Sequence, residues 1–191
     1  MATKNIMIVG VGGQGTLLAS RILGNLCTSL GYDVKVSEVH GMSQRGGSVV
    51  TYVKYSGEEK VYSPIIDKGE ADIVLAFELL EAYRALPYVK KGGKMIVNTQ
   101  KIDPMPVITG ACQYPSDIEE KISSCVDLTS IDALSLAKKA GNIKAVNVVL
   151  IGIMAKNTDI PYDKWIETIK TTVPEKFLDV NLEAFNLGYN A

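Results

Sequence analysis

Short apolar runs alternate with amphipathic stretches along the first two thirds of the chain. Residues 5–9, Asn-Ile-Met-Ile-Val, are almost wholly apolar and end at a glycine. A run that short, apolar on both faces, predicts a buried parallel strand. Between residues 14 and 30, Leu17, Leu18, Ile22, Leu23, Leu26 and Leu30 recur at helical spacing, and Gly31 stands where a helix would stop. Residues 33–39 alternate and predict a second strand, completing a βαβ unit with a right-handed crossover. Residues 48–55 are rich in β-branched and aromatic side chains. Ser56-Gly57-Glu58-Glu59 and then residues 60–63 come next, which predicts an inserted hairpin and therefore a mixed sheet.

Further on, residues 71–77 predict a buried strand. Residues 78–89 predict a helix that Pro87 ends or kinks. Gly92-Gly93 reads as a turn before a strand at 94–98. Residues 101–115 carry Pro104, Pro106 and Pro115 and read as irregular, with a short strand at Val107-Ile108. Residues 116–124 predict a short helix with Ser116 as N-cap, and 125–128 a final strand.

From residue 130 the spacing is helical. Residues 146–154 are apolar on nearly every side, so that helix belongs in the core or in a subunit interface. Pro161 and Pro174 open two more helices. The reading is one α/β domain over 1–191, with a Rossmann-like, mostly parallel sheet and an inserted hairpin. Residues 1–129 make the sheet region, and 130–191 the C-terminal helices of the same domain.

Composition narrows the function classes. The net charge is −1 and the pI about 5.9, which leaves no basic footprint for nucleic acid or an anionic membrane. No apolar run approaches the roughly 20 residues that span a bilayer. The N-terminus leads straight into a strand-like run, so a cytoplasmic location is expected. Cys27, Cys112 and Cys125 are widely spaced and no CxxC occurs, whereas zinc and iron–sulfur sites draw on closely grouped cysteines. The residues therefore read as three free thiols, with no metal site in this chain.

Two glycine-rich stretches carry the candidate chemistry. Gly10, Gly12 and Gly15 satisfy G-x-G-x-x-G after a strand and before a helix, and Gly13 and Gln14 lie between them. Glycines let the backbone turn tightly, and a helix N-terminus offers free N–H groups to an anion. Glu38, at the end of the second strand, falls where a dinucleotide fold places its ribose-binding carboxylate. The same pattern also fits a tight βα turn with no ligand. The second stretch runs from Glu38 to Gly47 and holds the sole histidine, His40, with Gly41, Ser43, Gln44, Arg45 and Gly46. Gln44 and Arg45 suit an anion or a partner's backbone, and Arg45 also suits a surface salt bridge. His40 could titrate near neutrality or serve structurally. No acid–base partner for it is legible, and no catalytic residue is assigned. Both stretches come after strands, so both should lie at the carboxyl edge of the sheet, where α/β folds bind ligands.

In Gly10-Val11-Gly12-Gly13-Gln14-Gly15 and in Ser37 to Ser48, with His-Gly-Met-Ser-Gln-Arg-Gly-Gly at its centre, the chain resembles the gamma-type domain of the 2-oxoacid:ferredoxin oxidoreductases. The likeness continues through residues 71–78, 93–98 and 144–152, and so spans nearly the whole chain. It implies a subunit that works only in a complex. An alpha subunit would carry thiamine diphosphate and the iron–sulfur clusters. The complex would oxidatively decarboxylate a 2-oxoacid, an aryl pyruvate above all, to an acyl-CoA with ferredoxin as acceptor. It also implies that the two glycine-rich loops face coenzyme A or the alpha subunit. Pyruvate, 2-oxoglutarate and branched-chain oxoacids are the alternative substrates. An independent Rossmann-type dinucleotide-binding protein is the alternative suggested by the first loop, and a scaffold module using the apolar 146–154 helix is a third.

Overall fold

A computed structural model describes residues 2–41 and 46–191. Its six strands are β1 (Lys4–Val11), β2 (Asp33–His40), β3 (Ser48–Ser56), β4 (Ala71–Ala76), β5 (Val89–Asn98) and β6 (Asp127–Ile131). They form one mixed sheet in the order β2-β3-β1-β4-β5-β6. β1, β4, β5 and β6 pair in parallel, whereas β3 runs antiparallel between β1 and β2. The first and second strands thus share a direction but do not touch. The expected βαβ unit is split by a strand that comes later in the sequence.

The hairpin exists, but not where the sequence places it. β3 pairs back on β2, with His40 opposite Val49, and the connection is the polar stretch after His40. Residues 60–63 form no strand. The Ser56 Oγ accepts the Glu58 and Glu59 N–H groups and turns the chain out of the sheet. Asp33 Oδ2 then takes the Val61 N–H at 2.7 Å. Side-chain acceptors thus satisfy backbone donors that a further antiparallel strand would have used.

Other boundaries shift for similar reasons. Gly92-Gly93 lies inside β5, at a register shift between Ala71 and Ile73 on β4. Val107 and Ile108 belong to a single helical turn, α3 (Met105–Ile108), which Pro104 precedes. Helix α4 (Ile118–Ser123) is entered through Asp117 at φ 58°, with Ser116 hydrogen-bonded to Asp117 and not capping the helix. The last strand starts at Asp127, later than expected, because the Cys125 and Val126 N–H groups still bond Ile122 O.

Helices cover both faces. Alternate β1 residues diverge: Ile6 and Ile8 join one core cluster, Met7 and Val9 the other. This explains why that strand is apolar throughout. Helix α1 (Thr16–Ser29) packs on the first face with α5 (Ala133–Lys139), α6 (Val146–Lys156), α7 (Tyr162–Thr172) and α8 (Leu178–Tyr189). Helix α2 (Leu79–Ala85) and α4 pack on the second.

The apolar 146–154 helix is internal, not an interface. Residues 146–155 are all buried, and α8 lies against them. Glycine allows the approach: a Cβ on Gly188 would lie 2.0 Å from Val149 O, and one on Gly152 2.3 Å from Phe185 O. Among the described residues, no helix is long and apolar enough to cross a membrane.

Candidate functional site

The carboxyl ends of β1, β2, β4 and β5 meet the amino end of β3 along one edge. The two glycine-rich stretches touch there. The Gly12 N–H donates to Gly47 O at 2.9 Å, and the Gly46 N–H returns a bond to Gly12 O at 3.3 Å. The juxtaposition expected from strand polarity is thus a direct backbone bridge.

Gln14 folds inward. Its Oε1 accepts the Val11 N–H at 2.7 Å, and its Nε2 donates to Phe77 O at 3.0 Å and Gln100 Oε1 at 3.3 Å. Asn98 adds a second donor to Phe77 O at 3.0 Å, and its Oδ1 accepts the Ala133 N–H. One amide network therefore ties the ends of β1, β4 and β5 beneath the loop. Gly10 is required beside it, since a Cβ there would lie 2.9 Å from both Gln14 Oε1 and Phe77 Cβ.

Beyond the network the loop opens outward. Gly13 (φ 102°) has nothing within 4 Å of where a Cβ would sit. Gly15, at φ 86°, occupies the N-cap of α1 without a side chain to cap it, and the first turn holds no acidic residue. The unpaired N–H groups and the positive dipole end of a 14-residue helix are left for an external anion. A Cβ on Gly15 would meet Asn147 Nδ2 at 2.6 Å, so the loop is also wedged against the start of α6.

A cleft of about 370 Å³ lies between this helix start and the end of β2. Gly12, Gly13, Gly15 and Thr16 form one side, Glu38 and His40 the other. Both of those side chains are exposed. Glu38 Oε2 accepts from the buried Thr51 hydroxyl at 3.3 Å, and His40 Nδ1 lies 3.0 Å from Gly41 O. Gly41, next in the chain, is exposed. Ser43, Gln44 and Arg45 lie outside the described residues. The interposed β3 sets Glu38 two strand spacings from β1, roughly 10 Å, where an adjacent pair would give half that.

Several residues at this edge were not singled out from the sequence. Glu78 is 1% exposed, and its carboxylate accepts from the Glu81 N–H, the Ile102 N–H and the Tyr114 hydroxyl at 2.9, 3.0 and 2.6 Å. Burial, and then the bond to Glu78, push the Tyr114 hydroxyl well above its ordinary pKa. Glu81, also buried, takes the Ser48 hydroxyl and the Arg84 guanidinium, each at 2.6 Å. Every one of these carboxylate bonds goes to the protein, so the two residues brace the edge. The signal for Asn147 was present: it is the one polar residue in α6 before the closing Lys156.

The arrangement can hold an anion and orient a polar tail. Among the described residues no nucleophile hydrogen-bonds His40, and no group of three or more His, Cys, Asp or Glu could hold a metal ion. Cys27 is buried, while Cys112 and Cys125 are exposed on separate segments, a set that does not fit an iron–sulfur cluster.

Known proteins resemble the chain over its full length. The sequence profile of the pyruvate ferredoxin/flavodoxin oxidoreductase family matches residues 5–191. The chain is 44% identical to the indolepyruvate oxidoreductase subunit IorB of Thermococcus kodakarensis, covering 100% of this chain and 96% of that one. The gamma subunit of a keto/oxoacid ferredoxin oxidoreductase from Geobacter sulfurreducens shares the fold with a TM-score of 0.71 at 23% identity, over 98% of this chain and 96% of that one. A second structure is the 2-oxoglutarate:ferredoxin oxidoreductase from Magnetococcus marinus, solved with 2-oxoglutarate, coenzyme A and succinyl-CoA bound. It superimposes with a TM-score of 0.70 at 19% identity, covering 100% of this chain and 31% of that one. There the same fold is a segment of a longer polypeptide.

Proposed function

The chain belongs to the pyruvate ferredoxin/flavodoxin oxidoreductase family, and from that premise we propose its role. It is the small, thiamine-free subunit of an indolepyruvate:ferredoxin oxidoreductase. The observation that carries this reading is the end-to-end likeness to IorB. The site agrees with it: the described residues offer an anion-holding cleft and no catalytic set of their own.

The complex oxidatively decarboxylates an aryl pyruvate to an acyl-CoA, with ferredoxin as acceptor. A larger alpha subunit brings thiamine diphosphate and the iron–sulfur clusters, and the assembly works in the cytoplasm. Coenzyme A would meet this chain at the cleft. The Gly12-Gly13 backbone and the α1 amino terminus suit its phosphates, and Glu38 suits a ribose hydroxyl. His40, Gly41 and Gly46 would belong to the same rim or to the contact with the alpha subunit, and the loop residues Ser43, Gln44 and Arg45, which lie outside the described residues, would serve the same contacts by the family resemblance alone.

An independent dinucleotide enzyme is the weaker reading. Such a site uses adjacent first and second strands, and here β3 separates them. Co-expression with the cognate large subunit tests the proposal. A stable complex should purify, and the isolated chain should turn over neither 2-oxoacid nor NAD(P)H. Robust NAD(P)H oxidation by the isolated chain would overturn it.

A further inference from the structure

Residues 104–116 carry no charged side chain, in a chain that is 21% charged. An uncharged run of that length belongs in a core or at an interface, and this one is not in the core. It follows the carboxyl end of β5, and its two large side chains on the α3 turn, Met105 and Ile108, are 66% and 65% exposed. Single exposed hydrophobes are ordinary, but a pair on one turn of an uncharged segment is a patch.

The segment is held as a rigid unit. At its two ends, the Ile102 N–H and the Tyr114 hydroxyl donate to the same oxygen, Oε1 of the buried Glu78, at 3.0 and 2.6 Å. Between them the chain closes on itself. The N–H groups of residues 107–112 all donate to carbonyls of Pro104, Met105, Pro106 or Val107. The result is an Ω-loop with its ends pinned together. A buried carboxylate is costly to desolvate, and here two of its three bonds fix the base of this loop.

The loop also stands beside the glycine-rich site. Gln100, two residues before Ile102, accepts from Gln14 Nε2 at 3.3 Å, and its carbonyl takes the Leu79 N–H at 3.0 Å. The tip therefore extends the sheet edge that carries the cleft.

We propose that the 104–112 tip is a docking prong for the large subunit, with Met105 and Ile108 seated in an uncharged, apolar recess of that partner. This rests on the reading of the chain as a subunit of an oxidoreductase complex. The chemistry of the tip selects the recess: interface centres are depleted of charge and enriched in Met, and a charged recess would be desolvated here without a counter-charge. The pinned base limits the loop entropy lost on docking. Continuity with the glycine-rich edge selects the large subunit over a second copy of this chain.

The test is the double variant Met105→Asp, Ile108→Asp, co-expressed with the tagged cognate large subunit. Both side chains are exposed, so the urea midpoint of the isolated chain should not move. Affinity for the large subunit should fall roughly tenfold or more, as for loss of a hot spot. Tyr62→Asp is the control. Tyr62 is 83% exposed and lies near the opposite edge, next to Val61 on Asp33, and this variant should assemble like the wild type. In the assembled complex, hydrogen exchange should slow across 104–112. A double variant that assembles with unchanged affinity, or exchange in 104–112 that assembly leaves unaltered, would overturn the docking assignment and leave the subunit role intact. Self-association of the wild-type chain that the double variant abolishes, with large-subunit binding unchanged, would likewise overturn it in favour of a second copy. Failure of the wild-type chain to bind its large subunit would overturn both readings.

Discussion

Gln14 Oε1 accepts the backbone N–H of Val11, three residues before it, at 2.7 Å. The bond closes the glycine loop on itself, and the other end of the amide holds Phe77 O at the end of β4. The loop that faces the cleft is therefore set by a side chain that points away from it. Gln14→Leu takes the side-chain acceptor from the Val11 N–H and one of two amide donors from Phe77 O, which keeps Asn98, in a part-buried setting. It should cost about 1–3 kcal/mol, read from urea unfolding of the isolated chain. A change within about 0.3 kcal/mol would show that water replaces the amide at little cost.

The α6–α8 contact depends on two glycines. Gly188→Ala puts a methyl group 2.0 Å from Val149 O, a backbone atom that cannot swing aside. The expected loss is about 3 kcal/mol, at the upper end for overpacking. Gly13→Ala is the contrast. It meets nothing within 4 Å, and only its φ of 102° resists, so the loss should be about 1 kcal/mol. Equal losses at the two positions would mean that the helix contact relaxes freely.

Cysteine reactivity should divide by position. Burial pushes the Cys27 thiol from 9.0 up to about 12, so it stays protonated and inert in the folded chain at neutral pH. Cys112 and Cys125 are exposed. A disulfide reagent should modify both at neutral pH, and Cys27 only at the rate of unfolding. Three equally fast thiols would contradict the packing of α1 against the sheet.

Tyr114 gives a dependence on alkaline pH. Burial, and then the bond its neutral hydroxyl donates to Glu78, raise its folded pKa above 10.0. The folded state then holds the proton more tightly than the unfolded chain. The contribution is fully present below pH 10 and is lost as pH rises through the folded value. Tyr114→Phe should lower stability by about 1 kcal/mol at neutral pH and by less above pH 10. Urea midpoints across that range check the sign, and a difference that grows with pH would reverse it.

Strand polarity was legible in the sequence because β1 and β4 are apolar on both faces and end at glycine or beside a buried phenylalanine. The place of β3 was not. Nothing local in residues 48–56 says whether they pair with the strand before them or with residues 60–63 after them. The Ser56 and Asp33 acceptors that retire residues 60–63 from the sheet are single side chains. At the site, the nearness of Gly10–Gly15 and the stretch around His40 could be inferred from strand direction alone. That Gln14 turns inward while Gly13 stays open could not, because the difference rests on Phe77 and Gln100, more than sixty residues away. The 146–154 helix could be assigned as buried, but its partner α8 was hidden in two glycines thirty-six positions apart.

The chain is one subunit of an indolepyruvate:ferredoxin oxidoreductase, and the role proposed for it is to complete a coenzyme A site in which it does not catalyse alone. The most direct measurement is anaerobic viologen reduction by the complex reconstituted with its large subunit. Indolepyruvate should drive reduction only when coenzyme A and both subunits are present. Full activity of the large subunit without this chain, or activity of this chain alone, would contradict the account.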